Sequence, residues 1–281
     1  MIRQVLSDNW RMRRAEGPDL PAVIPGTVYT DLLRSGAMED PFWKDNEIRA
    51  LPLMEDDYEY EVCFDAGEEL LAQDRILLHF DGLDTVADIY LNQEHIGNTY
   101  NMHRIWEYDV TDNIKAGGNS LKVVLHSPLK FIREEFAKCR TLGSEDAMDG
   151  FVHIRKAHCM FGWDWGAHLP DAGIFRPVSL LGVSKARLDS VYIRQEHSGG
   201  NVTLHFDVEA DRYASRTGEA LGAKSIEYRV EITSPAGTIQ CDMDSPKEMM
   251  IEQPRLWWPN GYGEQPLYTV KVTLYADGGI A

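Results

Sequence analysis

The sequence predicts an all-β chain built of two sandwiches. Three observations carry this: short runs of alternating polar and apolar residues, their near-regular spacing, and the Gly, Asp, Asn and Pro residues that separate them. Helical periodicity is confined to two segments. With 281 residues the chain has room for about two domains, and its 43% hydrophobic content supplies a core without staples.

The first element is helical. Val28 to Gly36 has apolar residues at helical spacing behind a Thr27 cap and ends at Gly36. Strands follow at Tyr58 to Phe64, Arg75 to Phe80 and, more loosely, Ala87 to Leu91, and then at Trp106 to Val110, Ser120 to His126 and Arg176 to Val183. Pro128 to Arg140 has room for another helical turn or two. A second strand series comprises Val191 to Arg194, Val202 to Ala210, Ile226 to Thr233 and Leu267 to Tyr275. The polar link Ser184-Lys185-Ala186-Arg187 separates the two series, so the expected domains are 1–185 and 186–281. After the last strand, Asp277-Gly278-Gly279-Ile280-Ala281 reads as a turn that leads nowhere. A sandwich normally covers such an edge. The expectation is an N-terminal piece of a longer protein, with its second sandwich truncated at the C-terminal edge.

A formal net charge of −17 argues against nucleic acid and against an anionic membrane surface, and a neutral ligand suits such a chain better. Cys63, Cys139, Cys159 and Cys241 form no C-x-x-C pair and have no metal-ligand spacing, so they read as buried free thiols of a reducing compartment. The N-terminus lacks a signal-peptide pattern, and no run of about eighteen apolar residues occurs. The expected location is cytoplasmic.

The candidate site is Gly162-Trp163-Asp164-Trp165-Gly166. Indole rings cover the C–H face of a sugar, a carboxylate accepts hydroxyl hydrogen bonds, and glycines allow a tight loop. The competing reading makes both tryptophans core residues and Asp164 a turn cap. Arg155 and Lys156 stand where they orient Asp164 by an ion pair or form a solvated strand edge. His153, His158 and His168 match no standard metal motif, and no metal site or cofactor is expected. Neither Glu134 with Glu135 nor Asp56 with Asp57 can flank one glycosidic bond, because neighbouring side chains diverge on helices and strands alike. They read as surface charge. Asn92 and Asn101 read as turn residues.

Four blocks carry a resemblance. Pro25-Gly26-Thr27-Val28-Tyr29-Thr30-Asp31-Leu32-Leu33 with Asp40-Pro41-Phe42-Trp43-Lys44-Asp45-Asn46-Glu47 resembles the opening of the β-mannosidases of glycoside hydrolase family 2. Phe80-Asp81-Gly82-Leu83-Asp84-Thr85-Val86-Ala87-Asp88-Ile89-Tyr90-Leu91-Asn92 is similar to a strand, turn and strand of that family. The most specific block runs from Arg155-Lys156-Ala157 through Gly162-Trp163-Asp164-Trp165-Gly166 to Gly173-Ile174-Phe175-Arg176-Pro177-Val178. Trp257-Trp258-Pro259-Asn260-Gly261-Tyr262-Gly263-Glu264-Gln265-Pro266-Leu267-Tyr268 resembles a segment of the family's second domain. The chain departs from the family at Leu51 and Tyr58, where tryptophans are frequent, and at Ala167, where proline is frequent.

The resemblance implies a jelly-roll sugar-binding domain, then an immunoglobulin-like β-sandwich, with the catalytic (β/α)8 barrel absent from this chain. It implies exo-acting, retaining hydrolysis of terminal β-linked mannose by two glutamates about 5 Å apart on the barrel, so no catalytic residue is expected here. Trp163 and Asp164 would bind substrate, with Arg155 and Trp165 supporting them. The partners implied are terminal β-mannosides of oligosaccharides and the protein's own C-terminal barrel. Trp257-Trp258-Pro259 is read as core or interdomain packing rather than a sugar platform. The alternatives are a β-galactosidase or β-glucuronidase of the same family, a stand-alone carbohydrate-binding module, and an adhesion or interaction sandwich.

Overall fold

The computed structural model describes residues 1–14, 17–214 and 223–281, with the side chains of Gln240 and Cys241 outside that description. It forms two compact units, residues 2–182 and 183–281. In chain order the strands of the first unit are β1 (Ile2–Val5), β2 (Arg11–Arg14), β3 (Leu20–Pro21), β4 (Tyr58–Phe64), β5 (Arg75–Phe80), β6 (Val86–Leu91), β7 (Glu94–Tyr100), β8 (Trp106–Asp109), β9 (Asn119–Leu125), β10 (Phe161–Trp163), β11 (Gly166–His168) and β12 (Val178–Val183). Its helices are α1 (Val28–Arg34), α2 (Glu47–Ala50), α3 (Glu68–Leu71) and α4 (Pro128–Lys138).

Two sheets face each other across one core, as expected for a jelly roll. One has the order β1-β12-β5-β8 and the other β3-β2-β4-β9-β6-β7, with the hairpin β10-β11 standing apart. Period-two alternation decides which side chains enter the core. Tyr58, Tyr60 and Val62 of β4, Leu121, Val123 and Leu125 of β9, and Ala87, Ile89 and Leu91 of β6 are all buried. The antiparallel register sets Tyr60 opposite Val123 and Val123 opposite Ile89, so one hydrophobic row crosses three strands. Strand β12 is buried along its whole length, and its register with β1 pairs Leu180 with Gln4.

Helix α1 begins with a capping box: the Thr27 side chain accepts from Thr30 N–H, and the Thr30 hydroxyl accepts from Thr27 N–H. Its buried face carries Val28, Tyr29, Asp31 and Leu32, and Gly36 adopts φ +71° just beyond its end. Helix α4 starts at the Ser127 cap with Pro128 in its first turn and runs 11 residues, longer than the turn or two expected.

The second unit contains β13 (Ala186–Ser198), β14 (Asn201–Arg212), β15 (Ile226–Thr233), β16 (Ile239–Asp244), β17 (Glu248–Ile251), β18 (Thr269–Ala276) and β19 (Gly279–Ile280). Two sheets, β13-β14-β17 and β16-β15-β18-β19, form the immunoglobulin-like sandwich. Its core joins Val202, Leu204 and Phe206 to Val230, Ile232, Met249 and Ile251. The turn at Asp277-Gly278 does not lead nowhere. Both residues have positive φ, as a tight hairpin turn requires, and the chain continues into β19, with Tyr275 opposite Ile280.

The thiols differ from expectation. Cys63, Cys139 and Cys159 are free but exposed, because each occupies an outward position of its strand or segment; the side chain of Cys241 lies outside the described residues. Asn92 has φ +53° and bridges Asn113, Asn119 and Ser120 through its side chain. Asn101 accepts from His103 N–H. Both serve backbone geometry.

His79 on β5 lies between Glu107, 2.8 Å from Nδ1, and Asp81, 2.9 Å from Nε2. The Glu107 hydrogen bond, with help from Asp81, raises its pKa above 6.5 against the effect of burial. A raised histidine pKa contributes stability that is fully present below the unfolded value and is lost as pH rises through the folded one. The gap in melting temperature between the wild type and His79→Gln should therefore be widest near about pH 6 and narrow through the window above 6.5. Thermal melts of both proteins across that range check this, and a gap that widens with pH contradicts it.

Candidate functional site

The candidate site is a hairpin on a buried ionic base. Lys156 is buried with a fully covered side chain, and its Nζ donates to the Asp84 carboxylate and to the carbonyl of Asp171. Asp84 is itself buried and exchanges two backbone hydrogen bonds of 2.9 Å with Gly173. Asp171 accepts from the backbone N–H groups of Tyr29 (3.1 Å) and Ala172 (2.8 Å). Burial raises the Asp171 pKa to about 6, against the opposing pull of its hydrogen bonds and of Lys156. The Tyr29 hydroxyl donates to the Ala50 carbonyl at 3.1 Å, which ties α1 to the end of α2. Nearby, Asp31 is buried and accepts from the Tyr60 hydroxyl at 3.0 Å and from Arg34; burial raises its pKa, with these bonds opposing.

From this base the chain climbs to the tip. Ile154 and Phe161 are anchored in the core. Phe161 pairs with His168 and Trp163 with Gly166, leaving Asp164 and Trp165 as the two turn residues. Gly162 has φ +94°, and a Cβ built there would lie 2.3 Å from the His168 ring. Only glycine meets both constraints. Trp163 is 45% exposed and Trp165 80% exposed. Asp164 is exposed, with no hydrogen-bond partner among the described residues. The competing reading of core tryptophans around a capping aspartate is therefore wrong for this hairpin. Two indoles and an unspent carboxylate are presented together to solvent, a set able to stack on a sugar ring and accept from its hydroxyls.

The other sequence candidates fall elsewhere. Arg155 is exposed, its carbonyl accepts from Met102 N–H at 3.0 Å, and it makes no ion pair with Asp164. Lys156 is no solvated strand edge; it is the buried cation described above. His153, His158 and His168 have separate partners: the Thr141 hydroxyl, the Ile154 carbonyl, and Glu47 with the Asp146 carbonyl. Asp57 is not idle surface charge, since it accepts from Ser127 N–H and His126. Trp257 and Trp258 are exposed rather than core, and within the second unit they line an open groove of about 640 Å³ with Leu256, Tyr268 and Val270.

Sequence reasoning missed the ionic base and the contact of Glu47 with His168. Asp84, Lys156 and Glu47 all lie inside the blocks that carried the resemblance. Nothing in their local pattern distinguishes a buried charge from a solvated one, because most charged side chains are exposed.

Residues 10–176 match the family described as glycosyl hydrolase 2 galactose-binding domain-like. Residues 186–281 match the domain described as glycosyl hydrolases family 2. The chain belongs to glycosyl hydrolase family 2. Within this family it is 29% identical to the β-mannosidase of Capra hircus over 98% of this chain and 33% of that protein. It is 30% identical to β-mannosidase B of Thermothelomyces thermophilus over 96% of this chain and 32% of that one. The crystal structure of β-D-mannosidase from Dictyoglomus thermophilum superposes with a TM-score of 0.90 at 31% identity, covering 100% of this chain and 35% of that one. A β-glucuronidase from an uncultured Clostridium sp. shares the fold alone, at TM-score 0.62 and 18% identity over 99% of this chain and 44% of that one. The chain thus spans about a third of the length of the curated family 2 relatives it matches, and the matched regions are their sugar-binding-like and immunoglobulin-like domains.

Removing one partner of a buried pair strands the other, at about 3–5 kcal/mol. Lys156→Met should lower unfolding stability by that order, and adding Asp84→Asn should recover about half or more of the loss, since the stranded charge is then gone. Equilibrium urea unfolding of the single and double variants measures both effects. Equal stability of wild type and Lys156→Met would show that the pair does not anchor this segment.

Proposed function

We propose that the chain forms the non-catalytic N-terminal domains of an exo-acting, retaining β-mannosidase, and that its Trp163-Asp164-Trp165 hairpin helps wall the subsite for the terminal mannose. The observation that carries the reading is the exposed, unpartnered Asp164 between two exposed indoles, on a hairpin whose base is tied into the core. The names of the similar enzymes support the substrate class.

The chemistry belongs to a (β/α)8 barrel that is the chain's own partner, with one glutamate as acid and base and another as nucleophile. The hairpin adds recognition. A loop from another domain that closes one side of a pocket admits a chain end and excludes the middle of a polymer. Asp164 accepts from hydroxyls distant from the scissile bond, and an epimer with one of those hydroxyls misplaced leaves a polar group unpaired at about 1–3 kcal/mol. Trp163 supplies the apolar wall. The unbridged, exposed thiols of Cys63, Cys139 and Cys159 suit a reducing, cytoplasmic setting.

Two measurements test this on the product of the full reading frame. It should hydrolyse a chromogenic β-mannoside in preference to the galactoside and glucuronide, while the 281-residue chain alone should not. Asp164→Ala should lower kcat/KM for the mannoside at least about tenfold, the loss expected for one charged hydrogen-bond acceptor, without changing the melting temperature of the protein. Preference for another glycoside would overturn the substrate class, and an unchanged kcat/KM would remove Asp164 from the subsite.

A further inference from the structure

We propose that Glu47, acting through His168, is a positioning residue that sets the Trp163-Asp164-Trp165 hairpin for sugar binding. The inference rests on the hairpin's role proposed above and extends it to a residue more than a hundred positions away in sequence.

One carboxylate oxygen of Glu47 accepts twice from the same residue: from His168 N–H at 2.7 Å and from the His168 ring Nδ1 at 2.8 Å. The opposite ring nitrogen, Nε2, lies 3.1 Å from the Asp146 carbonyl. The imidazole is therefore held at both ends. Its face lies across the Cα of Gly162, where a Cβ would meet Cδ2 and Nε2 at 2.3 Å. Gly162 immediately precedes Trp163, and His168 is opposite Phe161 in the β10-β11 ladder. The ring thus acts as a wedge between the two strands, one residue below the sugar-facing tip.

Glu47 is itself fixed from below. It is the first residue of α2, the preceding Asn46 is buried and donates from its side chain to the Asp40 carbonyl at 2.9 Å, and the last residue of α2, Ala50, accepts from the Tyr29 hydroxyl. Through Tyr29 the line of contacts reaches Asp171 and the Lys156 base. The hydrogen bonds from His168, the backbone one first, also hold the Glu47 carboxyl below its ordinary pKa, consistent with a carboxylate committed to this contact. The other contacts on the hairpin lie at its base: its own short ladder, the buried Phe161, Met148 N–H to the Phe161 carbonyl at 3.1 Å and Leu169 N–H to the Met160 carbonyl at 2.9 Å. A sub-ångström shift of Asp164 would suffice to weaken its hydrogen bonds to a sugar, because hydrogen bonds and positioning both fail steeply with displacement.

The test uses the full-length protein with Glu47→Ala, Glu47→Gln and Asp164→Ala, and two readouts: KM and kcat for the chromogenic β-mannoside, and amide hydrogen exchange over residues 161–168. Glu47→Ala should raise KM about tenfold or more with a smaller change in kcat, and should speed exchange in that segment while leaving the rest of the first unit protected. Glu47→Gln retains an acceptor oxygen and should restore KM to within about threefold of wild type. In the Asp164→Ala background, Glu47→Ala should have little further effect on KM, since both act on one contact. Unchanged exchange in Glu47→Ala would overturn the proposal whatever the kinetics. Faster exchange with an unmoved KM, in a protein where Asp164→Ala does raise KM, would overturn it too. If Asp164→Ala leaves kcat/KM unmoved, the failure lies in the subsite reading on which this inference rests.

Discussion

The buried ion pair of Lys156 with Asp84 is the constraint on which the architecture of this site depends. An ammonium and a carboxylate out of water are a poor source of net stability, but each makes the other's presence obligatory. Lys156 also donates to the Asp171 carbonyl, and Asp171 receives the first turn of α1 through Tyr29 N–H. Asp84 is bound through its backbone to Gly173. Four stretches remote in sequence, around residues 29, 84, 156 and 171, can therefore occupy only one mutual arrangement. The hairpin that carries Trp163, Asp164 and Trp165 rises from one of them.

This arrangement separates a tied base from an open tip. Below the tip, Lys156, Asp84, Asp171, Glu47 and His168 all have partners, and the apolar side chains of β4, β6 and β9 close the core. At the tip, two indoles and a carboxylate face solvent, and Asp164 has no hydrogen-bond partner among the described residues. A polar group held on an ordered base loses less conformational freedom on meeting a ligand than one that must first be ordered. The same logic explains why the chemistry of the two aromatic motifs differs. Trp257 and Trp258 lie in an open groove of the second unit, where Arg255 is paired with Glu264 and Gln265 donates to the Trp258 and Gly263 carbonyls, so these polar groups beside the indoles are already spent.

Strands whose buried and exposed residues alternate were legible: Tyr58–Phe64, Ile226–Thr233 and Asn119–Leu125 sit within one residue of their expected limits, as does Arg75–Phe80 with its apolar run Ile76-Leu77-Leu78. Two strands with a single buried residue were not, although Trp106–Asp109, which also has one, was. Met12 alone is buried in Arg11–Arg14, and Thr99 alone in Glu94–Tyr100, so neither carries a period that a reader can see. The turn at Asp277-Gly278 was recognised as a turn but not as a hairpin, because its second strand consists of Gly279 and Ile280. The cysteines show the reverse error: a residue type that is usually buried stands on outward positions.

By itself the sequence determined the all-β class, the α1 cap and stop, and the family blocks, because alternation, capping and turn chemistry are local and leave their marks on neighbouring residues. The character of each charged side chain was decided only by the tertiary structure. Lys156 and its neighbour Arg155 look alike as residues in a chain, yet one is sealed in the core and the other is in water. Glu47 and Asp164 are likewise equivalent acids until the fold gives one two donors from His168 and leaves the other open. Burial and partnership are properties of contacts between distant segments, and no local pattern encodes which segments will meet.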